Sequence, residues 1–547
     1  LDRGLITFEA GLTKPDLPQI TFKYSHSYRN GDESSTLWGP VHDPSSGNIY
    51  NVYPGIYSID ETSDTFQLDL TDHYKKVNYG AGVSYEIGDL NDAHKLTFWS
   101  GEPIQQDVTD QEGTSYDMLS THAFAESWIK DNLFLSTGFM YANLDDTFTG
   151  SRIYGDDFDV AYSPTYPGLD YGYFNLNGVA HEHQYVLNVN LMSLPTKTFS
   201  ITPSIRVQKE DWDANSAGTG TLGTDTQNFT DNSGRDALDV CERLDVRYAG
   251  VTNWVFNLGG QWTEGQGNLH ENGGLIQVGG IGPNPVQFAA DDSRLFQKYF
   301  LSARWYPVRE ASLDVGGYYK INTYNYNFTQ DSTPNNAGPG NPLYPGFLVY
   351  QGFQTWDGNI RLTLRLPKNI MLVSRYEYQY STISTEPDPA SGLSEVDSSK
   401  MYTHIIGQNA SWTPLSWLGL QAGFNYVLST TETPATPGSI LTQSVLNSQN
   451  NYWTVNFNSD FVLDDKTDLN VGYFYYRAAD GQNNIVDGVP LGTDNEEHSI
   501  TAAFSRRITK NLRLNLKYAF THYVDSASGG DFNYDAHIIF ASLQYRF

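Results

Sequence analysis

The chain of 547 residues contains a single cysteine, Cys241, so no intrachain disulfide can form. Nor is there a CxxCH, so the chain attaches no c-type haem of its own. Paired-cysteine zinc patterns are excluded on the same ground. No stretch approaches the roughly 20 consecutive apolar residues that a membrane-spanning helix requires. Cations are scarce, with 33 Lys and Arg against 63 Asp and Glu and a formal net charge of -30, which argues against a nucleic-acid partner. No acidic stretch has the DxDxDG spacing of a calcium loop. The first residues, LDRGLITFEAG, have neither an initiating Met nor a signal peptide, as expected of a processed or partial chain.

What is abundant is aromatic. There are 38 Tyr, 28 Phe and 11 Trp beside 49 Gly, although mean hydropathy is negative. A disordered acidic chain would be poor in aromatics. Large rings mixed evenly with polar residues are what period-two strands produce. In LRLNLKYAFTHY, 512–523, Leu512, Leu514, Leu516, Tyr518 and Phe520 share one face, and Arg513, Asn515, Lys517 and Thr521 the other. Residues 453–463 and 360–366 repeat the pattern. Twenty-one such strands are legible, from 5–13 to 534–547.

Short turns, such as 367–369, 414–416 and 509–511, alternate with long Gly-, Pro-, Asn- and acid-rich stretches at 31–63, 148–178, 213–235, 327–350 and 429–450, read as loops. Short turns on one side and long loops on the other mark an outer-membrane barrel; the competing architecture is a soluble all-β solenoid or propeller. Trp305, Trp412 and Trp417 stand at short turns, where amphipathic rings suit a membrane interface. The expected fold is therefore all-β. Residues 1–547 form one large antiparallel transmembrane β-barrel in the outer membrane of a Gram-negative bacterium. Short turns lie in the periplasm, and the last strand ends there. Counting back makes the first strand descend from outside. Bacterial barrels have even strand numbers, so one or more N-terminal strands are expected before residue 1, giving about 22 or more, within 22–28 in the full chain.

The face predicted to line the lumen carries Arg206, Arg243, Arg247, Arg304, Arg361, Arg365, Arg375, Arg507, Arg513, Lys517 and Arg546, with fewer acids: Asp245, Asp314, Glu377 and Asp460. An arginine-rich wall favours anionic contents. Alternatively, these arginines pair with acids across strands and line water. The acidic loops are read as solvated. His181-Glu182-His183 places two histidines on the outward face of Tyr185, and His498 and His522 also point outward. Such positions suit neither a metal nor hydrolysis. No catalytic, cofactor-binding or metal-ligating residue is assigned, and the chain is read as a non-enzyme. Cys241 is read as an unpaired strand thiol.

The hairpin NYWTVNFNSDFVLDDKTDLNVGYFYYRAAD (451–480), the segment EEHSITAAFSRRITKNLRLNLKYAFTHY (496–523), TGSRIYG (149–155) and KYFLSARWYPV (298–308) resemble the MtrB/PioB type of outer-membrane porin, the barrel component of porin–cytochrome conduits. Some members carry an N-terminal CxxC, which this chain lacks. The resemblance implies an insulating sheath around a periplasmic multihaem c-type cytochrome that carries electrons across the membrane, with haem on the partner and none on this chain. An extracellular cytochrome is the further partner that the resemblance implies. The alternative is a general diffusion porin with a water-filled, weakly anion-favouring lumen.

The chain closes on FASLQYRF. Leu543, Tyr545 and Phe547 are expected to face lipid, beside phospholipid and lipopolysaccharide, and to present the terminal aromatic signal that the barrel-assembly machinery reads.

Overall fold

The computed structural model describes residues 1–14, 17–42, 49–96, 107–154, 171–222, 225–274, 285–331, 348–387, 396–432, 448–480, 485–486, 489–490, 493–527, 529–530 and 532–546. Twenty-one strands make the wall. They are β1 (Asp2–Leu12), β2 (Gln19–His42), β3 (Ile49–Tyr74), β4 (Val77–Leu96), β5 (Asp107–Lys130), β6 (Leu133–Tyr154) and β7 (Tyr171–Thr196). Then follow β8 (Phe199–Leu222), β9 (Asp225–Tyr248), β10 (Trp254–Gly274), β11 (Pro285–Val308), β12 (Ala311–Asp331), β13 (Leu348–Leu366) and β14 (Ile370–Pro387). The last seven are β15 (Val396–Leu415), β16 (Leu418–Glu432), β17 (Tyr452–Asp464), β18 (Thr467–Ala479), β19 (Asp494–Arg507), β20 (Leu512–Asp525) and β21 (Tyr534–Arg546). A two-residue segment at 448–449 extends the sheet beside β16, and 485–486 pairs with 489–490.

Each strand is antiparallel to its chain neighbours. The sheet then closes on itself through β1 and β21, which run parallel. An odd number of alternating strands forces one parallel pair, and the seam is where it falls. The first strand therefore runs toward the same rim as the last, as the count of turns implied. The 21 strands equal the number read from the sequence. The further strands expected before Leu1 concern residues outside this chain.

The two rims differ because the turns differ. Neighbouring strands at one rim are joined within a few residues, and several turn residues are left-handed: Lys75 (φ 56°), Asn253 (φ 65°), and both Lys368 (φ 65°) and Asn369 (φ 59°). Two consecutive positive φ values match the twist of flanking strands in a tight hairpin. At the opposite rim the strands overshoot the membrane. A spanning strand needs about 9–11 residues, yet β3 has 26 and β7 has 26, whereas β17, β18 and β21 have 13 each. The wall is tall from β2 to β9 and low from β17 to β21.

Two stretches read as loops are corrected by this. Most of 31–63 belongs to β2 and β3, and nearly all of 213–235 to β8 and β9. Above the membrane the outward face has no lipid to meet. The apolar half of the period-two pattern disappears there while the backbone ladder continues.

The outward face is apolar to a degree that water would not tolerate. Ile539 is 74% exposed, Ile6 62% and Leu301 58%. Directly paired residues share a face, so the register links Phe504, Leu516 and Ala541 into one outward row, and Ile500 and Phe520 into another. A circular barrel of this many strands, spaced ~4.8 Å apart and tilted ~40°, is roughly 40 Å across between backbones.

Candidate functional site in the barrel lumen

The register puts every arginine and lysine assigned to the lumen on one face. Arg206 pairs with Cys241, Arg243 with Gln261, Arg247 with Asn257 and Arg507 with Arg513. Lys517 pairs with Phe540 on the same face, its ammonium 5.6 Å from that ring's centroid. One row of the ladder carries Arg304, Asp314, Arg361 and Arg375 on the four neighbouring strands β11 to β14. Three cations and one acid thus stand side by side.

Some of these charges are balanced locally. Arg243 holds Asp245 in a fork, Nε donating at 2.7 Å and Nη2 at 2.9 Å. Arg304 Nε donates to Asp314 across the strands, and Arg375 donates to Glu377, two residues along its own strand. Arg206 donates to Gln208 Oε1 at 2.8 Å. Among the described residues no carboxylate forms an ion pair with Arg247, Arg361, Arg365, Arg507, Arg513 or Arg546. The cross-strand pairing considered from sequence thus applies to Arg304, same-strand pairing to Arg243 and Arg375, and a second set stays uncompensated. Asp460 faces the lumen and accepts from Asn470 at 2.6 Å.

Sequence reasoning missed several inward cations higher in the wall. Arg294 Nη2 lies 3.1 Å from Asp239 and its Nε 3.3 Å from Asp292. Lys298 sits directly opposite Lys320, with its ammonium 4.1 Å from the Tyr318 ring centroid. The alternation around SRLFQKYF would have found both.

A second polar cluster lies in the tall wall, far above the membrane-spanning residues. Asp110 of β5 is fully buried. Arg152 of β6 grips it with both arms, Nε to Oδ1 at 3.1 Å and Nη2 to Oδ2 at 3.0 Å. His94 Nδ1 stands 2.9 Å from Oδ2, at ion-pair distance. Beside it, Tyr57 donates to Asp92 at 2.7 Å. Burial of Asp110 acts to raise its pKa, but the partners His94 and Arg152 outweigh it and hold the carboxyl below its ordinary value. Burial, then the bond to Asp92, pushes the Tyr57 hydroxyl well up. Nothing in the local sequence marks this cluster, because its members come from four strands.

Trp305, Trp412 and Trp417 are 38%, 42% and 47% exposed at the short-turn rim. Trp254, which sequence reasoning passed over, stacks on Trp305 with centroids 5.7 Å apart. Leu543 and Tyr545 face outward at 56% and 46% exposure; Phe547 lies outside the described residues. Four outward histidines are held by tyrosine hydroxyls in a repeated diagonal, His183 by Tyr141 at 3.2 Å, His404 by Tyr376 at 2.9 Å, and His498 by Tyr473 and His537 by Tyr518 at 2.8 Å each, whereas His181 and His522 meet Asp145 and Asp535. Cys241 points inward and accepts from Gln261 Nε2 at 3.4 Å. Among the described residues no group of three or more His, Cys, Asp and Glu is arranged to hold a metal ion.

Comparison with solved structures decides the architecture. The ferric yersiniabactin uptake receptor of Yersinia pestis superposes with a TM-score of 0.59 at 11% identity, over 99% of this chain and 76% of that one. The copper transporter OprC gives 0.58 at 8%, over 99% and 80%, and the ferric-catecholate import receptor of Escherichia coli K12 gives 0.57 at 10%, over 99% and 79%. This is a Gram-negative outer-membrane β-barrel. At such identities the likeness establishes the fold alone. No family model and no curated relative matches the sequence.

Proposed function

We propose that this barrel is an insulating sheath around a periplasmic multihaem c-type cytochrome, which carries electrons through its lumen across the outer membrane. The observation that carries the reading is the set of lumen arginines without carboxylate partners among the described residues, at Arg247, Arg361 and Arg365 on the β9–β14 wall and at Arg507, Arg513 and Arg546 near the closing seam. Like charges directly opposed on neighbouring strands repel, as Arg361 and Arg375 are, and Arg507 and Arg513. Such a wall is stabilised when a polyanion fills it. Haem propionates and acidic side chains of a cytochrome supply carboxylates that match guanidinium forks. The chain itself is a wall with no catalytic role and no cofactor of its own. The outward apolar face meets membrane lipid and lipopolysaccharide.

Width supports the same reading. A barrel roughly 40 Å across between backbones needs an occupant or passes solutes freely. Among the described residues the only sheet besides the barrel is the pairing of 485–486 with 489–490. The second reading, an anion-favouring diffusion channel, draws on the same arginines with water in place of the partner. The structural neighbours named as uptake receptors and a copper transporter raise a third, import of a metal chelate.

Purification of the chain from native outer membranes separates these. A sheath brings haem absorbance with it in constant ratio. A colourless barrel that conducts ions freely in planar bilayers would overturn the sheath reading and favour the channel.

A further inference from the structure

We propose that the periplasmic rim of the last three strands holds a site for a phosphate group. Three arginines and a lysine converge there: Arg507 at the end of β19, Lys510 in the turn, Arg513 at the start of β20 and Arg546 at the end of β21. With Asn511, Leu512 and Gln544 they line a cavity of about 180 Å³, and among the described residues no carboxylate takes part in it. That space is enough for one phosphate group.

The backbone builds the site. Arg507 and Arg513 are directly opposed across β19 and β20, and Arg513 is opposite Gln544. Arg546 follows two residues on from Gln544, hence on the same lumenal face. The turn is pinned on both sides: Asn511 N donates to Thr509 Oγ1 at 3.2 Å, and Arg546 N donates to Asn511 O at 2.7 Å. Lys510 is thereby held beside the two strand ends.

Electrostatics identifies the ligand. Elsewhere in the lumen Arg243, Arg304 and Arg375 each have a carboxylate. Here four positive charges have none among the described residues, and two of them stand face to face. Guanidinium forks with several N–H donors each are matched by a tetrahedral, doubly charged oxyanion better than by a single carboxylate. The phosphate comes either from solution or from the headgroup of an inner-leaflet phospholipid at the rim. The site shares Arg507, Arg513 and Arg546 with the sheath reading but requires no partner protein, so phosphate binding and haem copurification succeed or fail separately.

The test uses the whole barrel in phosphate-free nonionic detergent, with inorganic phosphate as the probe, followed by phosphorus NMR and thermal unfolding. Phosphate should bind saturably and raise the unfolding temperature, whereas chloride at equal ionic strength should not. The Arg507→Gln, Arg513→Gln double variant should weaken binding at least about tenfold, the loss expected from removing charge-assisted hydrogen bonds. Because that variant touches the strand ladder, Lys510→Gln in the turn is measured beside it, with about threefold weakening expected from one lost point charge. Arg243→Gln, at an acid-paired site, should leave phosphate binding unchanged. If detergent samples ignore inorganic phosphate, nanodiscs of phosphatidylglycerol and of phosphatidylcholine are compared. An immobilised phosphodiester signal in the former that Lys510→Gln releases supports the lipid source. Binding equal in all variants, or no phosphate signal in either arm, would overturn the proposal.

Discussion

Ala10 and Tyr545 face each other across a parallel pair, the single place where the wall is not antiparallel. Among the described residues, they and the adjacent pair Gly11 and Arg546 are the pairs in register there, against eleven in the neighbouring ladder of β1 with β2. Stability is not uniform in a sheet, and the least-bonded element opens first.

The seam is directly testable. Ala10→Cys with Tyr545→Cys should form a disulfide in the folded, oxidised barrel, because directly paired strand residues bring their Cβ atoms within reach. Gel mobility under non-reducing conditions reads the closed ring. Hydrogen exchange should be fastest at β1 and β21 in the double variant before oxidation, and slower after it. A barrel that folds yet never cross-links would mean that its edges do not meet at these residues.

Alternate residues of one strand should respond oppositely to charge. Ile500 is outward, in register with Tyr473 and Phe520, and 48% exposed; Thr501 is inward. Ile500→Arg should destabilise the barrel by about 2–4 kcal/mol in lipid vesicles, and Thr501→Arg by much less, since only the former puts a guanidinium into hydrocarbon. Urea titration of both variants measures the difference.

Uncompensated and acid-paired lumen arginines should differ in function. Arg361→Gln with Arg365→Gln should weaken an anionic lumen partner by about threefold to tenfold, with the loss shrinking as salt rises. Arg243→Gln removes a cation already committed to Asp245 and should change partner affinity little. Retention of haem protein across a salt series gives the comparison, and equal losses would show that local pairing does not matter.

The Asp110 cluster predicts acid sensitivity of the tall wall. The carboxyl is held below its ordinary pKa in the folded state, by partners that outweigh its burial. Its contribution is therefore complete above the unfolded carboxylate value of about 3.9 and is lost as pH falls through the folded value. Hydrogen-exchange protection around 107–112, corrected for the intrinsic rate at each pH, should hold above about pH 5 and fall below about 4. Asp110→Asn should remove the acid dependence. It should also loosen this section at neutral pH by about 1.5–3 kcal/mol, the cost of lost charge-assisted hydrogen bonds, since Arg152 still has Glu112 at 3.2 Å.

Much of the wall was legible because a strand between lipid and water must alternate, and the turns at the periplasmic rim are too short to blur it. Leu366 and Ile370 bracket a hairpin whose ends were read to the residue. The same rule failed from about residue 31 to 63. There β2 and β3 continue outside the membrane, and their outward side chains no longer need to be apolar. The lumen arginines were found by parity alone, whereas the Asp110 cluster was not, since parity says nothing about which strands meet at one height.

By itself, then, the sequence determined the strands, their lipid and lumen faces, and the membrane they suit, because each of these depends on residues two apart. Register, seam and charge balance were left to the tertiary structure. Whether Arg304 finds Asp314 or Arg507 finds Arg513 depends on how strands slide past one another, and that is set by the closure of the whole sheet rather than by any one segment.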